Sequence, residues 1–369
     1  MNKELLSRTI ERFSNSTNNK EVLIGFDGFI DNILKPVKER KNTNNYTPID
    51  DIITFSDRIR SASGKSTNIE IVKIKSSFGG NGPIMANSLI ELGNTTNFIG
   101  SLGENNILPI FKPFTEKCNS VISFSDPGAT DAFEMNDGKV MFNYPQTILD
   151  ISWELILEKV GVDILRKKIN RSTYLAFVNW TMIPMMNAIF EGLIEILSFT
   201  EERKTVYIDL TDPKKRLRKD LKDCLYLLIK MNKYADVLLG LNESEAIQVA
   251  EVLKTQVKYS DIKELAENIH SVMKIKAVVI HSIKQAAVAA EERSFMVNGP
   301  YTPNPKLSTG AGDIFNAGFF GGYMAKLKLD ECLISGVYNS GYYVRNKLPA
   351  TKQELIGFMK IMYQSSKNI

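Results

Sequence analysis

The sequence predicts an α/β fold with a doubly covered, mainly parallel sheet and a small β-rich appendage. In the second half of the chain, apolar strand-like runs alternate with helical segments, which is typical of βαβ units. The chain has 369 residues, 43% of them hydrophobic, and no repeat or low-complexity linker divides it, so one large core is expected. A polar segment and a hairpin pattern interrupt the first half and predict the appendage.

The first half is predicted to begin with a helix over residues 3–13. Its apolar residues have the spacing of one helix face, and they are Leu5, Leu6, Ile10 and Phe13. The elements predicted to follow are a strand at 21–26, a helix at 49–59, a strand at 69–75, a glycine turn at 76–82, a helix at 83–92 and a strand at 96–99.

A hairpin is predicted over residues 132–142, because apolar residues alternate on both sides of Asp137-Gly138. Asp-Gly favours a type I′ turn, whose two central residues both need positive φ. The elements predicted in the second half are strands at 175–178, 205–210, 237–241 and 277–281 and helices at 187–197 and 261–273.

These elements predict two structural parts. The α/β domain comprises residues 1–34, 76–117 and 146–369, and the β-rich part comprises residues 35–75 and 118–145. The appendage would therefore be formed by two insertions into one large domain rather than by a second domain of equal size.

Histidine and cysteine are scarce, which excludes several kinds of site. Only His270 and His281 are present, so the chain has no His-rich zinc site and no H-E-x-x-H motif. The three cysteines lie more than a hundred residues apart and form no C-x-x-C pair, which argues against a structural zinc or a redox dithiol. Unpaired thiols suit a reducing cytosol.

Charge and hydropathy point to a cytoplasmic protein without nucleic-acid or membrane partners. The 46 basic residues nearly balance the 42 acidic ones. The densest basic run, at 214–219, lacks aromatic residues and is interpreted as a solvated helix face rather than a nucleic-acid patch. The first twenty residues have no apolar core of a signal peptide, and no run reaches the ~18 apolar residues of a membrane span.

The strongest local signal is a glycine-rich turn that opens an apolar helix at 309–318. The backbone N–H groups of Gly310, Ala311 and Gly312 can point outward there, and a helix N-terminus favours anions. Asp313 would lie beside this site, and a base next to a bound phosphoryl group is what transfer to a hydroxyl requires. The alternative is that Asp313 only complements the helix dipole.

Asn242 and Glu245 follow a predicted strand with N-x-x-E spacing. They can hold the water shell of Mg²⁺, which dehydrates reluctantly and takes few direct carboxylates. The alternative is an ordinary helix start, with Asn242 as N-cap and Glu245 as the capping-box residue.

Two candidate sites lie in the first half of the chain. The turn at 77–82 is rich in glycine, so its backbone can approach a ligand closely, or it simply joins a strand tightly to a helix. Asp27 and Asp31 flank the end of the first strand, and carboxylates at the carboxyl edge of a parallel sheet commonly bind ligand hydroxyls. The alternative there is a solvated turn.

Together and in this order, the motifs resemble those of the ribokinase-like sugar kinases, the PfkB carbohydrate kinase family. The resemblance extends from about residue 21 to about residue 345. It rests on the glycine motif at 78–82, on Asn242 and Glu245, and on the Thr-Gly-Ala-Gly-Asp run at 309–313.

The resemblance implies ATP-dependent phosphorylation of a hydroxyl of a small sugar. Asp313 would be the general base, and the backbone of residues 310–312 would form the anion hole for the transferred phosphate. The residues proposed to bind the sugar are Asp31, Gly79, Gly80 and Asn81, with Asp27 added for its position at the strand end.

The same resemblance implies a nucleotide site, a cation and a lid. The candidate nucleotide-binding residues are Asn242, Ser282, Thr309 and Asn339. Glu245 and Asn242 would organise Mg²⁺ through water, because Mg²⁺ keeps most of its hydration shell. The β-rich part would be a lid that closes over the sugar, excludes water and can pair two copies of the chain as a homodimer. Both histidines are interpreted as structural.

Three departures from the family pattern change what the resemblance implies. Leu307 stands where an Asp usually opens the late motif, which puts a monovalent-cation site in question. Ile84 stands where an Asn usually follows the early glycine turn, so at least one sugar contact is altered. The segment 281–286 replaces a turn that usually contains glycine, so phosphate and nucleotide contacts can differ there.

Two other functions remain open at this point. A nucleoside kinase has the same fold, and its lid needs an aromatic or apolar floor that Phe133 or Phe142 can supply. A catalytically silent sugar- or nucleotide-binding regulator is suggested by Leu307, whereas the intact Asp313 argues against it. The sequence does not identify the sugar, the phosphate donor or the oligomeric state.

Overall fold

The computed structural model describes residues 3–17, 21–256, 260–291 and 293–365. Within these ranges, the strands are β1 Glu21–Gly25, β2 Phe29–Arg40, β3 Tyr46–Pro48, β4 Ile71–Gly79, β5 Thr95–Gly100, β6 Ser120–Ser123, β7 Gly128–Met135, β8 Gly138–Tyr144, β9 Tyr174–Phe177, β10 Lys204–Asp209, β11 Ala235–Asn242, β12 Ala277–His281, β13 Gln285–Ala290 and β14 Arg293–Asn298.

The α-helices within the same ranges are α1 Lys3–Asn15, α2 Ile52–Arg60, α3 Asn81–Glu91, α4 Lys112–Thr115, α5 Gln146–Leu149, α6 Trp153–Val160, α7 Val162–Arg171, α8 Met186–Ser198, α9 Arg218–Met231, α10 Glu243–Leu253, α11 Ile262–Met273, α12 Ala311–Met324, α13 Leu329–Asn346 and α14 Lys352–Ser365. None of these helices is both long enough and apolar enough to cross a lipid bilayer.

A nine-stranded sheet forms the centre of the molecule, in the order β14-β13-β12-β11-β10-β9-β1-β5-β6. The strands from β6 to β12 pair in parallel, and β13 and β14 add an antiparallel edge. Strands covered on both faces need apolar residues on both faces, which is why β9 and β10 are buried throughout. The predicted fold class is confirmed in this sheet.

Helices cover both faces of the large sheet and create two hydrophobic cores. Side chains of β1 alternate between them: Leu23 joins the core under α6 to α11, whereas Val22 and Ile24 join the core under α1, α3 and α12 to α14. The second core holds α3 and α12 against each other, so the starts of these two helices are fixed at the same sheet edge.

A smaller sheet stands beside the large one, with β4, β2, β7 and β8 side by side and β3 on the far end of β2. Residues 35–75 were predicted to belong to a β-rich part, but the twelve-residue strand β2, which begins at Phe29, was not predicted. Its polar residues and Pro36 hid the strand, because only some of its positions are buried and its sequence shows no regular apolar alternation.

Two turns differ from their predicted form. The turn predicted at 76–82 is shorter, because β4 runs to Gly79 and α3 begins at Asn81, leaving only Gly80 with φ 93° between them. The hairpin of β7 and β8 is confirmed, but Met135 pairs with Gly138, so the central turn residues are 136 and 137. Neither has positive φ, so the turn is not of type I′.

The division into an α/β domain and a lid stays a prediction. The strands of the small sheet cover 29–48, 71–79 and 128–144, whereas Ser120–Ser123, within the second predicted lid segment, pairs in the large sheet. Helix α2 lies between β3 and β4, and its Phe55 packs against Phe133 of β7 with ring centroids 5.4 Å apart. The predicted insertion at 35–75 therefore packs against the hairpin of β7 and β8 through α2.

Candidate active site

Polar side chains collect at one edge of the large sheet because parallel strands end there together. Asp27 follows β1 and Asn179 follows β9, while β10, β11 and β12 end in Asp209, Asn242 and His281. The small sheet covers this edge and encloses a cavity of about 920 Å³. A second cavity, of about 560 Å³, lies on the other side of the start of α12.

Asp313 lies in the first turn of α12, between Gly312, which lines the smaller cavity, and Ile314, which lines the larger one. Gly310 precedes the helix with φ 81°, a left-handed conformation that glycine adopts without strain. The Asp313 carboxylate is 8% exposed, and its Oδ1 accepts a hydrogen bond of 2.7 Å from Nδ2 of Asn81. Burial, and then the negative charge of Asp209, raises the pKa of Asp313 well above its ordinary value.

The backbone of the α12 start only partly matches the predicted anion hole. The N–H of Ala311 donates to the carbonyl oxygen of Ser308 at 3.1 Å, so this amide is already used within the turn. The amide of Gly312, in the first turn, has no acceptor inside the helix. Gly310 is packed closely: a Cβ there would lie 3.3 Å from both Cδ1 of Ile84 and the hydroxyl of Tyr343.

The larger cavity is the candidate acceptor site. Asp31 lines it from β2, opposite Thr130 of β7, whose hydroxyl donates to Oδ1 of Asn143 at 3.1 Å. Burial raises the pKa of Asp31 above its ordinary value. Gly79 makes room for this side chain, since a Cβ at Gly79 would collide with the Asp31 carboxylate. The opposite wall is formed by α3, which presents Ile84 and Asn87.

The small sheet reaches the α12 start through Lys139. The Nζ atom of Lys139 lies 3.3 Å from Oγ1 of Thr309 and 3.4 Å from a carboxylate oxygen of Glu134, the residue opposite it in the hairpin. Thr309 therefore borders the larger cavity and contacts the small sheet, although it was predicted to be a nucleotide contact.

Asp27 lies behind the acceptor site rather than in it. It is 0% exposed, and its carboxylate accepts hydrogen bonds from the backbone N–H groups of Asn81 and Gly82 and from Nδ2 of Asn179, at 2.7–2.9 Å. Burial raises its pKa to about 6. Instead of the predicted direct contact with a sugar, this geometry gives Asp27 the role of holding Asn81 in place. Gly80 allows the close approach, because a Cβ there would lie 3.0 Å from Asp27.

The smaller cavity is the candidate nucleotide site. Asn242 and Ser282, both predicted nucleotide contacts, line it together with Tyr301, Ser340 and other residues of 299–305. Asn339 does not line it. This side chain is 0% exposed, and its Nδ2 donates to Oγ of Ser88 at 3.0 Å and to the carbonyl of Ile314 at 2.8 Å. It ties α13 to α3 and α12, whereas the adjacent Ser340 faces the cavity.

Asn242 and Glu245 form the capping box that the sequence offered as the alternative to a magnesium site. Oδ1 of Asn242 accepts from the Glu245 N–H at 3.0 Å, and Oε2 of Glu245 accepts from the Asn242 N–H at 2.9 Å. Burial and the nearby charge of Asp209 raise the pKa of Glu245 to about 7. Two buried carboxylates that repel each other are a donor set that a divalent cation stabilises.

Asp209 was not among the predicted site residues, although it is a second buried carboxylate whose charge raises the pKa of Glu245. Its Oδ1 accepts from the hydroxyl of Thr211 and its Oδ2 from Nδ2 of Asn316, both at 2.7 Å. Asn316 also accepts a hydrogen bond from the buried Tyr207 hydroxyl at 2.7 Å. The available signal was a charged residue inside an otherwise apolar predicted strand at 205–210. Among the described residues, no group of three or more His, Cys, Asp or Glu side chains is arranged to hold a metal ion.

A comparison with known proteins shows the family to which the chain belongs. The family model described as "Prokaryotic ketohexokinase" matches residues 2–361. The chain is also 26% identical over 343 residues to a ketohexokinase of Haloferax volcanii, covering 91% of this chain and 90% of that protein.

Solved structures share the fold. A ribokinase of Arabidopsis thaliana, in complex with ribose and ATP, matches with a TM-score of 0.67 and 15% identity, over 93% of this chain and 99% of that one. An adenosine kinase of Sinorhizobium meliloti matches with a TM-score of 0.63 and 15% identity, over 95% and 100%. The fold is therefore shared by sugar and nucleoside kinases, and the acceptor has to be argued from the sequence family and the site.

Proposed function

The chain belongs to the prokaryotic ketohexokinase family, and from this premise we propose that its acceptor is a ketohexose, phosphorylated on a primary hydroxyl. The broader predictions are confirmed: the fold is ribokinase-like, and the protein is a carbohydrate kinase that transfers phosphate from ATP to a sugar. The silent-regulator alternative has no support in these matches.

The observation that carries the proposal is the position of Asp313. Its helix start separates the two cavities: Ala311 and Gly312 line the smaller one, and Thr309 and Ile314 line the larger one. A hydroxyl bound in the larger cavity and a phosphate bound in the smaller one would meet beside this carboxylate. Asn81, bonded to Asp313, orients the carboxylate and can contact the same hydroxyl.

The proposed reaction needs only groups that this arrangement supplies. The acceptor oxygen attacks the terminal phosphorus of ATP, the bond from that phosphorus to the bridging oxygen breaks, and ADP leaves. The hydroxyl proton passes to Asp313, which must be ionised to accept it. Asp31 and the backbone of Gly79 and Gly80 would hold other sugar hydroxyls, and the small sheet would exclude water that could compete as acceptor.

Mg²⁺ is proposed to accompany ATP. Glu245, Asn242 and Asp209 would hold it, largely through water. The buried carboxylates of Glu245 and Asp209 would be stabilised in their charged form by a neighbouring cation. When bound, Mg²⁺ neutralises charge on the phosphates. Leu307, which lines the acceptor cavity, offers no ligand to a monovalent cation, so K⁺ activation is not part of the proposal.

Pairing of two copies through the small sheet is a further part of the proposal. Ile71 and Ile74 on the edge strand β4, and Phe142 and Tyr144 on the edge strand β8, are each 45–57% exposed. Burying such side chains against a second copy would be favourable. Light scattering should give a mass of two chains, and Ile74→Lys with Tyr144→Lys should reduce it to one. We also infer a cytoplasmic location, which suits the free thiols of the three cysteines.

Acceptor specificity is tested by measuring ADP release with a panel of acceptors. Fructose and other ketohexoses should give a kcat/KM at least tenfold above ribose, glucose, adenosine and inosine. ADP in place of ATP should not support phosphorylation. A higher kcat/KM with a nucleoside would contradict the proposal and favour the nucleoside-kinase alternative.

A further inference from the structure

His281 lies where the donor cavity meets the start of α12, a place for which the proposed mechanism gives it no role. It is the last residue of β12, directly opposite Asn242 in the register of the large sheet. It lines the smaller cavity, as Asn242 and Gly312 do. A Cβ built on Gly312 would lie 3.4 Å from Cε1 and 3.6 Å from Nε2 of His281, so this edge of the ring faces the helix start.

The ring is held in this orientation by aromatic packing. His281 and Phe315 have ring centroids 4.7 Å apart and an interplanar angle of 38°. Phe315 belongs to the same helix as Gly312, so the imidazole packs against the first turns of α12. The ring contact with Phe315 leaves the edge of the His281 ring that carries Nε2 facing Gly312, at the wall of the smaller cavity.

The polar atoms of this ring have no partner in the described part of the chain. No hydrogen bond involving the His281 ring is found there, whereas Nε2 of His270 lies 2.9 Å from the carbonyl oxygen of Ile275. A neutral imidazole carries one N–H donor and one acceptor nitrogen. A half-buried donor without a partner calls for an acceptor, and a ligand in the cavity can supply it.

We propose that Nε2–H of His281 donates a hydrogen bond to a phosphate oxygen of ATP, beside the backbone N–H of Gly312. The inference rests on the proposed function, because it requires the smaller cavity to hold ATP. His281 would replace part of the anion hole that the sequence assigned to Ala311, whose N–H is bonded to Ser308. The imidazole loses no proton in the reaction: the hydroxyl proton still passes to Asp313, and ADP still leaves with the bridging oxygen.

Kinetics of His281→Phe test this contact, because phenylalanine keeps the stacking on Phe315 and removes the N–H. We expect kcat/KM for ATP to fall about 10- to 100-fold, the effect of losing a hydrogen bond to a charged group. The KM for the sugar and the melting temperature should change little. His281→Gln retains an amide donor and should keep more activity than His281→Phe. His270→Gln is the matched control and should stay within twofold of the unchanged protein.

Nuclear magnetic resonance gives a readout that does not depend on turnover. The chain has only two histidines, so protein labelled with ¹⁵N-histidine shows two imidazole spin systems, and His270→Gln assigns them. Adding Mg²⁺ with the non-hydrolysable analogue adenylyl imidodiphosphate should shift the Nε2 signal of His281 and leave that of His270 in place. AMP, which lacks the outer phosphates, should not produce this shift.

The outcomes separate this inference from the proposed function. If the unchanged protein phosphorylates ketohexoses but His281→Phe stays within twofold of it, the contact is only packing and the inference is wrong. If the variant does not fold, an unshifted His281 signal in the unchanged protein overturns the inference. If ketohexoses are not phosphorylated at all, the proposed acceptor fails, while a phosphate-dependent shift of His281 would still support the contact.

Discussion

At the scale of single residues, the proposed general base is a carboxylate kept in unfavourable surroundings. Asp313 is nearly buried and lies close to three other carboxylates, Asp209, Asp27 and Glu245, which all raise its pKa. A base with a raised pKa holds a proton more strongly, and this favours proton abstraction from an alcohol, which is itself a weak acid. The cost is that less of Asp313 is ionised near neutral pH.

Asp313→Asn is predicted to remove the base while keeping the shape of the site. The amide can still contact Asn81, but it cannot take a proton, so kcat should fall about 10²- to 10⁴-fold. ATP affinity measured by calorimetry should change little, because the smaller cavity is untouched. A variant with near-normal kcat would show that another group accepts the proton.

The pH dependence of catalysis should follow the ionisation of Asp313. Because its pKa is raised, the ionised form is lost as the pH falls through that pKa, so kcat/KM for the sugar should decrease on the acid side. Asp209→Asn removes the largest charge contribution to this shift, so the acid limb should move to lower pH. The position of the limb is the measurement, since the height of the profile also reflects any loss of Mg²⁺. An unmoved limb would contradict the coupling between Asp209 and Asp313.

At the scale of elements, the sequence predicted the large sheet well because its strands are buried on both faces. The strand at 277–281 matches β12 at both ends, and the neighbouring parallel strands differ by one or two residues. The strands of the small sheet were harder, since β8 is exposed along most of its length and β2 contains Pro36. Where packing imposes no apolar alternation, the sequence carries little strand signal.

The same contrast applies to the candidate site. Asp31 lines the larger cavity, and Asn81 donates a hydrogen bond to Asp313 at the start of α12, while the roles of all three stay predictions. Asp209 was overlooked and His281 was interpreted as structural, because the position of each side chain becomes informative only when neighbouring strands end side by side. Asn339 was predicted to line the nucleotide site, but the next residue, Ser340, does so. Each step along an α-helix rotates the side chain by about 100°, so an error of one position changes the face of the helix.

The contact between α2 and the hairpin turn should control the order of the lid. Both carboxylate oxygens of Asp137 accept from the N–H of Ile52, at 2.9 and 3.1 Å, and the N–H of Asn136 donates to the carbonyl of Asp50 at 2.7 Å. Asp137→Ala should loosen the hairpin and the sheet residues that face the acceptor, raising the KM for the sugar about fivefold with little change for ATP.

Asp137→Asn is the control for this contact. Its amide oxygen keeps one acceptor for the Ile52 N–H, so the KM for the sugar should lie between those of the unchanged protein and Asp137→Ala. Equal KM values for all three proteins would mean that the α2 contact does not influence how the lid binds the acceptor.

At the scale of the whole molecule, the two sheets differ in how firmly they are held. Strands β9 and β10 are buried at every position, between the two hydrophobic cores. Strands β4 and β8 are largely exposed and form the outer edges of the small sheet. Regions with few buried apolar contacts open locally at lower free energy than a core sheet. The acceptor cavity thus has one rigid wall and one adaptable wall.

Hydrogen exchange should reveal this difference and its dependence on ligands. In the free protein, amides of β4 and β8 should exchange faster than those of β9 and β10, because local opening suffices to expose them. Fructose together with Mg²⁺ and adenylyl imidodiphosphate would add contacts to Asp31 and Lys139 on the inner face of the small sheet. Exchange in β2, β4 and β8 should then slow about tenfold or more, since a ligand that binds only the closed form stabilises it by its occupancy. Slowing confined to the large sheet would contradict a lid that closes on the acceptor, because ligand binding would then stabilise only the wall that is already rigid.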